Sequence, residues 1–366
     1  MKVLLSSASF ALEYGGPAYS VFNLAKHLKV AGLDVAVWSP DGTAVAAAKV
    51  WGKDGENARA LAGSLRDALS DFGTPDVFHD SGLWWRHNMA ISSAARALKR
   101  PSVISIRGML EPAALRHREW RKRIAWLIYQ RKNLTRATAL HVTGEVEERN
   151  VKALQLPTKV VCIPNGIDVP QQCPIRLSSH PKRLIFLGRL HTIKGLSMLL
   201  EAWARLRPLN WHLEIAGPDE DRQQSKLEGQ IRELGIERSV SFSGPVQGEE
   251  KEKLFQRASL LVLPSFSENF GLAAGEALAH GVPVIATHGT PWAALHSEGC
   301  GWHVATSVDG LEGGLKKALA TPDDELAAMG RRGYAYVART FSWSRIANQM
   351  VALYQDVCAD HRAQKL

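Results

Sequence analysis

"LLVLPSFSENFGLAAGEALAHG", residues 260–281, reads as three pieces in succession. LLVLPS is an apolar run of strand length, SENFG is a loop, and a stretch of small apolar residues suited to a helix begins near Gly271. A strand that passes through a short loop into a helix is half of a βαβ unit. Two glutamates interrupt the pattern: Glu268 at the strand's carboxyl end and Glu276 over a turn into the helix. Carboxylates are costly to bury, so either the helix has a wet face or these groups meet a ligand rich in hydroxyls.

The same rhythm extends in both directions. RLIFLG, WHLEIAG, SVSFSG and VPVIAT are further strands of the second half, each followed by a turn or helix. In the first half KVLLSS (2–7) leads into GGPAYSVFNLAKHLKVAG, where Val21, Leu24, Ala25 and Leu28 recur at helical spacing. DVAVWS, DVFHDS, SVISIRG, ALHVTG and VVCIP continue it. Between the halves, NGIDVPQQCPIRLSSHPK (165–182) is polar and proline-rich. The expected fold class is therefore α/β, with two doubly wound, parallel-sheet, Rossmann-like domains facing a central cleft. The expected boundaries are 1–168, a linker at 169–182, a second domain at 183–341, and a C-terminal helix at 342–366 with no strand of its own.

The composition fits this plan. A chain of 366 residues, 45% hydrophobic and 22% charged, is globular and long enough for two domains. The opening MKVLLSSASFALEYGG runs into a glycine turn and a helix, so it reads as a first strand rather than a signal peptide. No stretch has the length to span a bilayer. Cys162, Cys173, Cys300 and Cys358 have neither zinc-like spacing nor disulfide-scaffold density, which points to a reducing cytoplasm. The net charge of +9 is concentrated: residues 1–170 carry 23 Lys and Arg against 15 Asp and Glu, whereas residues 171–366 are nearly balanced. Such asymmetry calls for an anionic partner.

Carboxylates can each accept two hydroxyl hydrogen bonds, which suits the vicinal diols of sugars and riboses. Glu268 and Glu276 thus fit a ligand with two diols flanking a phosphate, the shape of a sugar nucleotide. The bland alternative is a helix-dipole glutamate followed by a solvated one. A second segment, FLGRLHTIKG (186–195), ends a strand at Gly188 and places Arg189 and Lys194 across one short loop. Converging on a diphosphate, they would neutralise a leaving group without a metal. Taken alone, that loop is better explained as a surface turn with two solvated cations.

Together these segments resemble the retaining glycosyltransferases of family 4, which have the GT-B fold. The resemblance covers nearly the whole chain and is strongest from Pro164 to Trp343. It is carried by PNGID (164–168), GRLHTIKG, EIAGP (214–218), VSFSGPV (240–246), the E-x7-E element, HGVPVIAT (280–287) and GCGWHV (299–304). It implies that Glu268 holds hydroxyls of the donor sugar, with backbone at Asn269, Phe270, Gly271 and Leu272. It further implies that Glu276 holds the ribose and that Arg189 and Lys194 hold the diphosphate. Gly15 and Gly16, in the first glycine loop, would let backbone approach the donor phosphate. The last helix would cross back to the N-terminal domain. The implied activity is transfer of a hexose from a nucleotide-diphosphate sugar to a saccharide, with retention, no metal and no other cofactor. An acceptor that is lipid-linked, a place in bacterial surface polysaccharide assembly (lipopolysaccharide or exopolysaccharide), and an enzyme peripheral to the inner face of the plasma membrane complete the expectation. Nucleic acid is not an expected partner. Sugar-nucleotide epimerases, phosphorylases and a catalytically silent membrane-associated subunit remain alternatives on the same fold.

The N-terminal half departs from the family at one point. ISIRGML (104–110) carries Arg107 where many relatives have a histidine, so a donor contact there would come from a guanidinium. FHDSGLWW (78–85) offers Asp80 as an acceptor contact, although a helix or turn cap accounts for it better. PDED (218–221) contains Asp-x-Asp but opens a charged helix, and reads as a solvated first turn. There is no GxGxxG after the first strand, no Walker A lysine and no HExxH. Finally, RHREWRKRIAWLIYQRKNLTR (116–136) concentrates cations, among them Arg121, Lys122 and Arg123, beside Trp120, Ile124, Leu127 and Ile128 at helical spacing. That stripe is expected to pack on the N-terminal sheet, leaving the basic face for an anionic membrane surface.

Overall fold

A computed structural model describes residues 1–11, 16–51, 58–116, 119–174, 180–220 and 222–363. They form two compact units, Met1–Gly166 with Trp343–Leu366, and Ile167–Ser342. The first is built on seven parallel strands: β1 (Lys2–Ser7), β2 (Asp34–Trp38), β3 (Arg59–Leu61), β4 (Val77–Ser81), β5 (Ser102–Ser105), β6 (Ala139–Val142) and β7 (Lys159–Cys162). Their order in the sheet is β3-β2-β1-β4-β5-β6-β7. The second has six: β8 (Lys182–Leu187), β9 (Trp211–Ala216), β10 (Val240–Gly244), β11 (Leu260–Leu263), β12 (Val284–Thr287) and β13 (Gly301–Val304). They run β10-β9-β8-β11-β12-β13, every neighbouring pair parallel. β3 and β13 are additions to the strands expected from the sequence.

Helices cover both faces, so the central strands are apolar on both sides. In the second sheet, Leu184 and Phe186 of β8 join one core with Leu213, Leu260 and Ile285, while Ile185 joins the opposite core with Leu261, Val284 and Ala286. In both sheets the order reverses beside the first strand, between β1 and β4 and between β8 and β11. Loops after adjacent strands diverge at such a point and open a crevice at the carboxyl ends.

The chain leaves the first unit after Gly166 and returns at Trp343. A Cβ on Gly166 would lie 2.2 Å from the Trp343 ring, so only glycine allows this approach. The returning helix, Trp343–Ala363, buries Ile346, Ala347, Met350, Leu353, Tyr354 and Val357 in the first unit's core. Of the 169–182 segment, residues 175–179 lie outside the described residues. Its start is held within the second unit, where Tyr334 OH donates to Pro170 O at 2.7 Å.

One expectation is overturned. The stripe Trp120, Ile124, Leu127 and Ile128 does not pack on the sheet; these side chains are 64, 48, 82 and 70% exposed. Here a helix (Glu119–Ala125) passes through a π-helical turn (Trp126–Gln130) into another helix (Arg131–Arg136). The inward face is carried instead by Gln130, Asn133 and Leu134. Spacing identified a stripe, but no residue of Glu119–Ala125 is buried, and from the end of the π turn onward other residues face inward.

Candidate donor site

The second unit brings two of the candidate charges, Lys194 and Glu268, together at the β8/β11 switch point. After β8, a 3-10 turn (Thr192–Lys194) ends at Gly195, whose φ is 69°. A Cβ there would lie 2.1 Å from Pro264 O, so glycine lets the post-β8 loop press against the end of β11. Across the same seam, Phe266 N–H donates to Ile193 O at 2.8 Å. This delivers Lys194 to Glu268: Lys194 Nζ donates to Oε1, which also accepts from Ser265 Oγ at 2.9 Å. The two side chains are only 16 and 11% exposed. The Glu268 backbone is fixed too, its N–H donating to Gly289 O at 2.8 Å.

Arg189 takes a different partner. Its Nη1 donates to both oxygens of Glu220, at 2.8 and 2.6 Å. Glu276, in the helix Leu272–Ala279, accepts from Lys251 Nζ at 2.9 Å. The helix is anchored at its start by Trp292 Nε1, which donates to Phe270 O at 2.7 Å. Phe270 is buried, and its ring meets that of Phe341 edge-on at 5.5 Å. At the helix start, unpaired N–H groups and the dipole favour an anion near Gly271 and Leu272. Asn269, like Leu272, is half-buried.

Three cation–carboxylate pairs result: Lys194–Glu268 and Arg189–Glu220 on loops that follow the strands, and Lys251–Glu276 between two helices. The candidate cations thus carry their own countercharges and are held in place by them. Glu220 and Lys251 were not anticipated from sequence. Glu220 belongs to PDED, read there as a solvated turn, and Lys251 lies in the charged run EEKEK. Neither stands out until the loops are folded together. A cavity of about 480 Å3 lies beside the same loop, lined by His191, Thr192, Leu196, Met198 and Phe266 among others. None of the paired charges lines it, so it is separate from this cluster.

The sequence matches the family "Glycosyltransferase Family 4" over residues 14–171 and "Glycosyl transferases group 1" over residues 173–336. The chain belongs to the family 4 glycosyltransferases. It is 27% identical over 325 residues to the GDP-mannose:cellobiosyl-diphosphopolyprenol alpha-mannosyltransferase of Xanthomonas oryzae pv. oryzae, covering 86% of this chain and 82% of that protein. It is 32% identical over 233 residues to the D-inositol 3-phosphate glycosyltransferase of Corynebacterium glutamicum, covering 56% of this chain and 53% of the relative. It therefore spans about half the length of that second protein. The fold matches Anabaena HepE, solved in complex with UDP-glucose, with a TM-score of 0.76, 18% identity, and coverage of 97% and 100% of the two chains. The two units are those of a GT-B fold, and the enzyme transfers sugar from a donor.

The first unit treats its candidates differently. Gly15 lies outside the described residues, and Gly16 begins the helix Gly16–Val30. Asp80 is corrected as an acceptor contact. It is 1% exposed, accepting from Ser6 Oγ and Asn88 Nδ2, both at 2.6 Å, with His87 Nε2 at 3.5 Å. Its oxygens pin β1 and β4 to the following helix, so its work is internal. Arg107 follows β5 with φ 57° and turns its guanidinium to the protein, Nη1 donating to Asn165 Oδ1 at 2.5 Å and to Ser20 Oγ at 3.3 Å. Burial pushes it down to about 10, partly offset by Glu147. It remains a cation at neutral pH. Among the expected surface cations, Arg121 and Arg123 are exposed, while Lys122 donates to Ala114 O.

Proposed function

We propose that this glycosyltransferase is a retaining, metal-independent hexosyltransferase. It moves a sugar from a nucleoside-diphosphate sugar to a lipid-linked saccharide during surface polysaccharide assembly. The observation that carries the donor half is Lys194 and Glu268 held together at the switch point. Lys194 and Arg189 take the diphosphate, Glu268 the sugar hydroxyls and Glu276 the ribose. The acceptor oxygen bonds to the anomeric carbon on the face from which the diphosphate departs, and the acceptor proton passes to a departing phosphate oxygen. No side-chain nucleophile is needed; the protein positions the reactants and stabilises the departing charge. Incubation with UDP-glucose and GDP-mannose tests this reading. Slow hydrolysis, and product of retained anomeric configuration with an acceptor, are expected to persist in EDTA. Epimerised donor, or activity restored only by added Mg2+ or Mn2+, overturns it.

The two glutamates are expected to fail differently. Glu276→Ala weakens binding of the nucleoside diphosphate itself by roughly 1.5–3 kcal/mol. Glu268→Ala leaves that binding nearly intact and impairs sugar transfer. Calorimetry with UDP and GDP checks this, and equal losses in both variants would show the roles to be misassigned.

The lipid-linked acceptor is supported by the surface of 119–136. Leu127 and Ile128 stand exposed beside Arg121 and Arg123, and Arg121 lies 5.1 Å from the centroid of the exposed Trp120 ring. Apolar side chains flanked by cations suit the boundary between headgroups and acyl chains. The Xanthomonas relative's name also specifies a diphosphopolyprenol acceptor. Among the described residues no helix is long and apolar enough to cross a membrane, so attachment would be at the surface. Each cation contributes about 1 kcal/mol at an anionic leaflet. Binding to phosphatidylglycerol vesicles is expected to weaken with salt and to vanish on neutral vesicles. Gln at Arg121, Lys122 and Arg123, or Ser at Leu127 and Ile128, reduces it without altering donor affinity. Failure of the wild type to co-sediment with anionic vesicles at low salt would remove the membrane reading.

A further inference from the structure

We propose that Glu220 is a positioning residue that aims Arg189 at the donor diphosphate. This inference rests on Arg189 being a diphosphate ligand, as proposed above. The starting point is a contact whose purpose is not stability. The Arg189–Glu220 pair is 51 and 37% exposed, and exposed pairs contribute little because ordering two long side chains offsets the attraction. Yet the backbone around it is built to hold the two residues together.

Arg189 and Glu220 leave the ends of neighbouring strands, β8 and β9. Beyond the sheet the two loops stay paired: Leu190 N–H donates to Pro218 O at 2.9 Å, and Glu220 N–H to Leu190 O at 3.4 Å. Leu190 itself is 1% exposed, so the seam is anchored in the core. At Gly217 a Cβ would lie 1.9 Å from Gly188 O, so a side chain there would force the loops apart. Asp219 Oδ1 accepts from Gln224 N–H at 3.0 Å, fixing the second loop to the helix Gln223–Leu234. The carboxylate of Glu220 is thereby presented from a rigid frame to a flexible cation.

Both oxygens of Glu220 engage one nitrogen, Nη1. A guanidinium presents its donors in a fixed planar fork, so a carboxylate on Nη1 leaves the edge formed by Nη2 and Nε to face a phosphate. Glu220 thus holds Arg189 in one orientation before the donor arrives. That lowers the entropy lost when the phosphate is grasped and improves alignment as its charge grows. A merely competing carboxylate would do the opposite, drawing Arg189 away and repelling the diphosphate. The sign of the effect separates the two.

The test uses Glu220→Gln, Arg189→Ala and the double variant of the full chain, assayed with UDP-glucose or GDP-mannose, whichever the wild type turns over. Calorimetry with the matching diphosphate runs alongside. Glu220→Gln is expected to lower kcat/KM about 10-fold, mostly in kcat, and to cause no further loss once Arg189 is alanine. Thermal unfolding should be unchanged, as befits an exposed pair. Wild-type kinetics in Glu220→Gln, tighter diphosphate binding, or an equal loss in the Arg189→Ala background would overturn the positioning role. If Arg189→Ala alone keeps wild-type kcat/KM, the diphosphate assignment fails first, and the positioning role fails with it.

Discussion

Lys194→Ala is expected to lower kcat by about 30- to 900-fold, corresponding to roughly 2–4 kcal/mol of lost transition-state stabilisation. The size of the effect follows from how the side chain is held. Lys194 is mostly enclosed, it ends a tight turn locked by Gly195 against Pro264, and its ammonium is already aimed at Glu268. A cation placed before the reaction stabilises a departing diphosphate without reorganising. In the proposed roles the pair couples leaving group to sugar, because the ammonium assigned to the phosphate is in direct contact with the carboxylate assigned to the hydroxyls. The two losses should therefore be non-additive, with the Lys194→Ala, Glu268→Ala double variant less impaired than the product of the singles. Arg189 is more exposed, and its removal costs less than that of Lys194. Steady-state kinetics with thermal unfolding as a control checks this. Near-wild-type turnover in an Arg189→Ala, Lys194→Ala variant would exclude a role for these cations in catalysis.

The sequence made the second unit legible because its information is local. Strand, loop and helix alternate within single short stretches, and Glu268, Glu276, Arg189 and Lys194 each follow or enter an element that periodicity defines. What stayed hidden depends on contacts between loops. Glu220 meets Arg189 only because β9 lies beside β8, and Lys251 meets Glu276 from another helix. β3 is only three residues long at a sheet edge, too short for a pattern. The exposed stripe of Trp120, Ile124, Leu127 and Ile128 shows a further limit, since periodicity reveals that a face exists but not what it faces. Asp80 fails for a related reason. A carboxylate at a strand end suits a ligand, a cap or an internal tie between elements, and its contacts with the Ser6, Asn88 and His87 side chains make it the tie.

Lowering the pH from 6.5 towards 5 is expected to destabilise the first unit by up to about 2.7 kcal/mol per pH unit, roughly 1.4 for each of two histidines. His79 and His141 lie inside the sheet in a continuous chain of hydrogen bonds. His141 Nε2 meets Ile163 O at 2.8 Å, and a carbonyl only accepts, so this nitrogen carries the proton. His141 Nδ1 then accepts from Ser105 Oγ, and Ser105 Oγ accepts from His79 Nε2, both at 2.6 Å. His79 Nδ1 is left to accept from Tyr354 OH, also at 2.6 Å, which ties the returning helix to β4. Every donor has one acceptor only while both rings are neutral. An added proton would force the Tyr354 or Ser105 hydroxyl to accept instead of donate, leaving its own hydrogen without an acceptor in a fully buried site. Burial accordingly holds His79 well below the ordinary histidine range and His141 down to about 3, with the Arg107 guanidinium adding to the effect at both rings. Depressed histidines mean that the unfolded chain binds more protons below pH 6.5. Stability is therefore full above that value and is lost as pH falls towards the folded-state values. Glu214 is held below the carboxylate range chiefly by Arg257 and Ser243, against the opposing effect of burial, and loses its share only below pH 4.5, outside this window. His212 and His303 are also lowered by burial and act in the same window, but in the second unit. Opening free energies from hydrogen exchange of β4 and β6 amides separate the units. Glutamine at both His79 and His141 keeps a donor and an acceptor in each side chain but cannot titrate, and should flatten the pH dependence there. An equally steep acid loss in that variant would mean the buried chain is not what makes the first unit acid-sensitive.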